Sequence, residues 1–286
     1  MPDPAFLRKQ TLKNYDYTWH KLKGDPDTKS EFWQNNVVDF LANQELCISK
    51  EWFKGKKILD VGCGGGRWTY GFQKLGCQVT AVDASQAAVE YVREKVANNS
   101  TKVFHADIFN LPTEISKEKY DLVFSWGVLH HTGDTYRALK TITSLVKQDG
   151  VLYIYLYGQK SWSPLKRGLV KLIRAVLLPL PAELKFQIFK VLLGEYKAGL
   201  AMDVFGATIA HRYTQEEVDE WLSTLGFENV TRTIDTEEIY RKASKTECSS
   251  AKPYALKPSR GPYWFEDWRK ENYENILRRD TYDPGK

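Results

Sequence analysis

One stretch constrains this chain more than any other: Ile58-Leu59-Asp60-Val61-Gly62-Cys63-Gly64-Gly65-Gly66-Arg67-Trp68. Residues 56–61 read as a buried strand, a short apolar run that ends in glycines. The glycines predict a sharp turn whose backbone no side chain shields from a ligand. Residues 67–75 read as a helix stopped by Gly76. Strand, glycine-rich loop and helix, in this order, open a doubly wound α/β nucleotide site. The glycine spacing then restricts the nucleotide. A dinucleotide fingerprint, G-x-G-x-x-G, needs its third glycine where Arg67 stands. The chain instead has Gly62-x-Gly64-x-Gly66, preceded by Asp60. Such a loop alone also serves tight packing, so the segments that follow must decide.

Residues 78–82 form the second expected strand, with Asp83 at its carboxyl end, 21 residues after Gly62. A carboxylate there can accept from both ribose hydroxyls at once. The competing role is that of a helix cap, helped by Ser85. A helix over 85–96 places Ala88, Val89, Val92 and Val96 on one face. A short strand over 102–105 runs into Ala106-Asp107-Ile108, and a strand over 120–125 into Trp126-Gly127-Val128-Leu129-His130-His131. A helix over 134–146, a turn at Gln148-Asp149-Gly150 and a strand over 151–157 follow.

With these segments in place, residues 50–160 resemble a class I S-adenosylmethionine (SAM) methyltransferase of the small-molecule type. Asp60 to Gly66 resembles that family's D-x-G-x-G-x-G, Ala106-Asp107 its A-D, and Asp121 to His131 its D-L-V-x-S-x-x-V-L-H-H. Gln148-Asp149-Gly150 departs from the family's frequent Pro-Gly-Gly. The resemblance implies a doubly wound, Rossmann-like sheet of seven mostly parallel strands with a helical cap insertion. It implies SAM as cofactor, held by Asp60, Gly62, Cys63, Gly64, Asp83, Ala84, Asp107, Ile108 and Trp126. In it the loop faces the amino-acid part of SAM, Asp107 accepts from the adenine amine, and Ile108 covers the ring.

The flanks divide the chain into residues 1–50, an N-terminal helical lid; 51–160, the SAM-binding core; 161–212, the cap insertion; 213–245, the end of the sheet; and 246–286, a tail. The first segment is helical in pattern and aromatic, interrupted at Gly24-Asp25-Pro26-Asp27, with Thr28 or Ser30 capping a helix over about 31–49. Its aromatics either pack on the sheet or, as the resemblance implies, fold residues 15–20 over the ligands. The insertion carries Leu165, Leu169, Leu172, Val176 and Leu180 at helical spacing among Lys166, Arg167, Lys171 and Arg174, and Pro179 and Pro181 split it into two helices. The expectation is that this stripe packs within the cap or a homodimer and does not bind anionic vesicles strongly. Membrane contact, or a floor for a lipid-like acceptor, is the alternative. A capping box at Thr214 and Glu217 opens the next helix. Two strands, over 227–234 and 238–245, close the sheet, and Tyr263, Trp264, Phe265 and Trp268 anchor the tail.

A net charge of +5 without a dense basic cluster gives no strong nucleic-acid signal. The four cysteines lack ligand or disulfide spacing, so no metal is assigned and a cytoplasmic location is expected. No run is long enough for stable membrane insertion. The expected reaction moves a methyl group from SAM to an oxygen or nitrogen of a small or medium-sized acceptor. A lipid or quinone acceptor, a tRNA base and a non-catalytic SAM-binding partner protein are the alternatives. His131 and His211 are the candidate catalytic bases, because imidazole titrates near neutrality. Tyr15, Trp19, Tyr157 and Tyr213 are the candidate acceptor contacts, within an aromatic pocket beyond strands four and five.

Overall fold

Continuous apolar runs make the central strands. Ile58, Leu59 and Val61 lie in β1 (Lys57–Val61), and Leu122, Val123 and Phe124 in β4 (Tyr120–Trp126); all are buried. Strands covered on both faces need such runs. With β2 (Gln78–Asp83), β3 (Thr101–His105) and β5 (Val146–Leu156) they pair in parallel. Strands β6 (Asn229–Arg232) and β7 (Ile239–Ser244) complete a seven-stranded sheet in the order β3-β2-β1-β4-β5-β7-β6, with β7 antiparallel to both neighbours. Strand order reverses between β1 and β4, the place where an open α/β sheet leaves a crevice at the carboxyl ends. This computed structural model describes residues 3–24 and 29–246. The turn at Asp25-Pro26-Asp27, the Thr28 cap and the aromatic tail anchors lie outside the described residues.

Helices α1 (Pro4–Leu22) and α2 (Glu31–Asp39) open the chain, and α2 runs on as a wider turn to Glu45 rather than to residue 49. Ser30 caps α2 through Trp33 N–H at 3.5 Å. Helices α3 (Arg67–Lys74), α4 (Gln86–Tyr91), the single turn α5 (Thr113–Ser116) and α6 (Thr135–Thr143) cover the sheet. Strand β5 begins at Val146, so the expected Gln148-Asp149-Gly150 turn is an irregularity inside it, where the register slips between Tyr120 and Leu122. One core face joins Trp33, Phe40, Phe53 and Phe72 to Phe124, Tyr153 and Tyr240. Phe124 and Tyr153 stack with centroids 5.1 Å apart. Truncating Phe124 to Ala here costs about 3–5 kcal/mol.

Between β5 and α10 (Gln215–Thr224) run α7 (Pro164–Leu177), α8 (Ala182–Leu193), α9 (Glu195–Ala201) and a wide turn over Met202–Gly206. Pro179 and Pro181 sit in the link between α7 and α8, as expected. The apolar stripe of α7 does not pack inward: Leu165, Leu169, Leu172 and Val176 are all exposed. Val170 and Leu177 are buried instead. Each lies one residue further along, about 100° round the helix. The helix carries two adjacent apolar stripes, and the chain buries the second. Thr214 and Glu217 form the capping box of α10, at 3.1 and 3.4 Å. Among the described residues no helix is long and apolar enough to cross a membrane.

Candidate active site

A cavity of about 450 Å³ lies beyond the carboxyl ends of β1, β2 and β4, within the ~300–1,000 Å³ of small-molecule sites. Gly62, Cys63, Gly64, Asp83, Ala84, Ile108 and Trp126 line it, as do Tyr15, Trp19, His131 and Tyr157. The loop glycines are required by crowding. A Cβ on Gly62 would stand 2.2 Å from Val128, and one on Gly64 2.6 Å from the Trp19 ring, both at positive φ. Asp83 shapes the loop by accepting from Gly64 N–H and Ser85 N–H, each at 2.8 Å. Burial raises its pKa while those amides and His105 oppose the rise. The cap role therefore belongs to Ser85, which accepts from Ala88 N–H at 3.1 Å, and Asp83 stays on the cavity wall.

Four of the expected residues stand elsewhere. Asp60 is 2% exposed beneath the loop and accepts from Thr69 Oγ1 at 2.6 Å, tying β1 to α3. Burial raises its pKa to about 7. Asp107 is turned out of the wall: its oxygens accept from Arg8 at 2.5 Å and Phe109 N–H at 2.8 Å. His211 is exposed, and its backbone N–H bonds the carbonyl of His130. Tyr213 donates to Thr135 Oγ1 at 2.8 Å and packs on Trp221. Neither His211 nor Tyr213 is in the cavity lining.

Helix α1 closes the cavity with a polar face. Its buried positions are Thr11, Asn14 and Thr18, not an apolar stripe. Asn14 donates to the carbonyl of Gly206, and Thr11 accepts from Ile209 N–H at 3.1 Å. Arg8 reaches Asp107 and, at 3.0 Å, the carbonyl of Thr132. Asp16 accepts from Ser85 Oγ at 2.7 Å and Ala87 N–H at 3.0 Å, at the start of α4. These bonds pin α1 to the nucleotide loops on one side and to the turn after α9 on the other. Arg8 and Asp16 were not among the expected site residues. Asp16 is the single acid of that helix and Arg8 its single arginine, among three lysines.

At the far end of the cavity three groups converge. Tyr15 Oη lies 2.9 Å from His131 Nε2 and 2.7 Å from Asp203 Oδ1. Tyr157 donates to Asp203 Oδ2 at 3.2 Å. His131 Nδ1 is 2.6 Å from the carbonyl of Ile209, so Nδ1 carries the proton and Nε2 is left as the acceptor. Burial lowers the His131 pKa, and Asp203 and the Ile209 carbonyl oppose that shift. Burial, with Asp203 next, raises the Tyr15 and Tyr157 hydroxyls well above the ordinary phenol value. His130 is fully buried and packs on Tyr157 with centroids 3.8 Å apart, so the two neighbouring histidines play different parts. Asp203 went unrecognised because it is distant in sequence. The signal for it was a single acid in the apolar run from Leu200 to Phe205. Trp126, Tyr155 and Tyr157 form the remaining aromatic wall, with Trp126 and Tyr155 4.7 Å apart. The Arg67 guanidinium lies 5.4 Å over the Trp126 ring.

Comparison with known proteins places this geometry. Residues 59–154 match the family model described as a methyltransferase domain. The ubiquinone biosynthesis O-methyltransferase of Actinobacillus pleuropneumoniae is 31% identical over 104 residues, which are 35% of this chain and 44% of that protein. Its mitochondrial counterpart in Schizosaccharomyces pombe is 34% identical over 124 residues, 41% of this chain and 43% of that protein. The chain thus spans less than half the length of these curated relatives. Magnesium protoporphyrin IX methyltransferase from Synechocystis PCC 6803, solved with bound SAH, shares 17% identity at a TM-score of 0.53, over 86% of this chain and 100% of that one. At that identity the likeness is one of fold. Residues 59–154 thus carry a match to the methyltransferase-domain family, with the glycine-rich loop at the β1/β4 switch point of the sheet.

Proposed function

We propose that the chain binds SAM in this cavity and methylates a hydroxyl oxygen of a small or medium-sized acceptor. Gly62 and Gly64 leave room for the amino-acid part, Asp83 accepts from the ribose hydroxyls, and Ile108 covers the adenine. The fit rests on the cavity lining, which brings Gly62, Gly64 and the Asp83 carboxylate together on one wall. Bound SAM supplies an electrophilic methyl group on a positively charged sulfur. The chain supplies position, water exclusion and a place for the acceptor's proton.

The observation that carries the hydroxyl reading is the Tyr15–His131–Asp203 cluster. With Nδ1 committed to Ile209, the Tyr15 hydroxyl has one proton and two acceptors within reach. The cluster is one proton short. A proton gained from the acceptor hydroxyl completes it: imidazolium N–H donates to Tyr15, and Tyr15 donates to the Asp203 carboxylate. The proton ends opposite a negative charge in a buried site, where that pairing is strongest. The aromatic wall of Trp126, Tyr155 and Tyr157 suits a flat ring, and the relatives named above act in ubiquinone biosynthesis. A phenolic, quinol-like acceptor is therefore the favoured class.

The test is calorimetric titration with SAM, followed by SAH release in the presence of simple catechols and short-chain quinols. Asp83→Ala should weaken SAM binding by roughly 10- to 150-fold, the loss of charge-assisted hydrogen bonds worth about 1.5–3 kcal/mol. Tighter binding of NAD than of SAM by the wild type would sink the cofactor reading. SAM binding without turnover on any of these acceptors would favour a non-catalytic partner.

A further inference from the structure

The helical segment after β5 presents an apolar face to the outside. On α7, Leu165, Leu169, Leu172 and Val176 are 85, 56, 62 and 66% exposed. Their spacing sets them on one side of the helix. The other side is anchored: Leu177 packs with Phe186 and Phe189 around Met202. Helix α8 ends in Val191 and Leu192, 84 and 72% exposed. An exposed apolar face such as that of α7, bordered by polar residues, marks an interaction site.

The charge of the chain is concentrated on the same segment. Residues 161–212 hold eight Lys or Arg and three Asp or Glu, a balance of +5, equal to that of the whole 286-residue chain. All other residues together are neutral in sum. Lys166 and Lys171 are exposed beside the leucines, whereas Arg174 turns inward to the carbonyl of Val204 at 2.6 Å.

We propose that this face docks on an anionic lipid bilayer surface. Helix α7 lies in the headgroup plane, its leucines immersed and its lysines at the lipid phosphates. A second copy of the chain fits the face poorly, because a two-fold contact sets the same positive surface against itself. A nucleic acid fits the lysines but sets the leucines against phosphates. Leu200 on α9, in the same helical segment, is 48% exposed and also lines the cavity.

Flotation of the full chain with vesicles tests this. We expect retention on vesicles of equal parts phosphatidylcholine and phosphatidylglycerol. Retention should be weaker on phosphatidylcholine alone and weaker in high salt, where screening shortens to about 3 Å at 1 M. Leu169→Ser/Leu172→Ser should lower partitioning about a hundredfold, and Lys166→Glu/Lys171→Glu roughly thirtyfold. Both variants should keep the wild-type melting temperature and SAM affinity, which separates lost docking from lost folding. Vesicle binding in a chain that fails to bind SAM would support docking while sinking the cofactor reading. Absence of retention on the mixed vesicles overturns the proposal. So does a wild-type dimer that Leu169→Ser/Leu172→Ser converts to monomer without any vesicle binding, which would assign the face to a second copy.

Discussion

His131 owes its place to its two ring nitrogens being told apart by their surroundings. The Ile209 carbonyl fixes the Nδ1 proton, and Tyr15 meets Nε2. Only the neutral ring can take a proton, and burial holds its pKa below 6.5. Activity should therefore be flat at neutral pH and fall as pH drops through a point below 6.5. Asp203→Asn removes a charge that raises this pKa, so the acid limb should move to lower pH while turnover falls. His131→Ala should lower kcat by ~10²–10⁴-fold with SAM affinity nearly unchanged. Initial rates across pH 5 to 8 for the three proteins decide it, and a limb unmoved by Asp203→Asn would remove Asp203 from the cluster. The Tyr15–His131 pairing was expected as two separate candidates, and its third member was not. A contact between residues 116 and 188 positions apart leaves no periodic trace in the chain.

At the scale of elements, the turn after α2 carries a buried acid outside the cavity. Glu45 is 3% exposed and accepts from the Tyr153 hydroxyl on β5. Burial raises its pKa to about 7, against the pull of Tyr153 and Arg67. A folded pKa above the unfolded one means that the stabilisation is fully present below pH 4.5 and is lost as pH rises through 7. Glu45→Gln keeps a group that accepts from Tyr153 and removes the buried charge. Its melting temperature should exceed the wild type's at pH 8, by about 2–4 kcal/mol in stability, and the gap should narrow as pH falls and close below pH 4.5. Equal melting temperatures at pH 8 would mean that the carboxylate is already hydrated. The strands were legible because doubly covered strands demand unbroken apolar runs, as at Leu122-Val123-Phe124. The facing of α7 was not legible. Two adjacent stripes, Leu165-Leu169-Leu172 and Val170-Ile173-Leu177, satisfy the same helical period, and only packing partners choose between them. Asp60 and Asp107 stand outside the cavity lining, because motif spacing identifies a position and does not fix where its side chain turns.

The whole molecule is joined by α1, which bonds at once to the β3–α5 loop, the start of α4, the histidine segment and the turn after α9. Trp19 lies over Gly64, close enough that a Cβ there would stand 2.6 Å away. A wall fastened to two parts of a protein at several points lets go all at once or not at all. The consequence is one of timing. For a cofactor bound in this cavity as proposed, release should wait until Arg8, Asp16, Asn14 and Tyr15 let go together, a motion in the range of lid openings at about microseconds to milliseconds. Rapid mixing of the SAM-loaded protein with acceptor should then show a first turnover faster than those that follow. Arg8→Ala, which unties one corner, should raise the later rate more than the first.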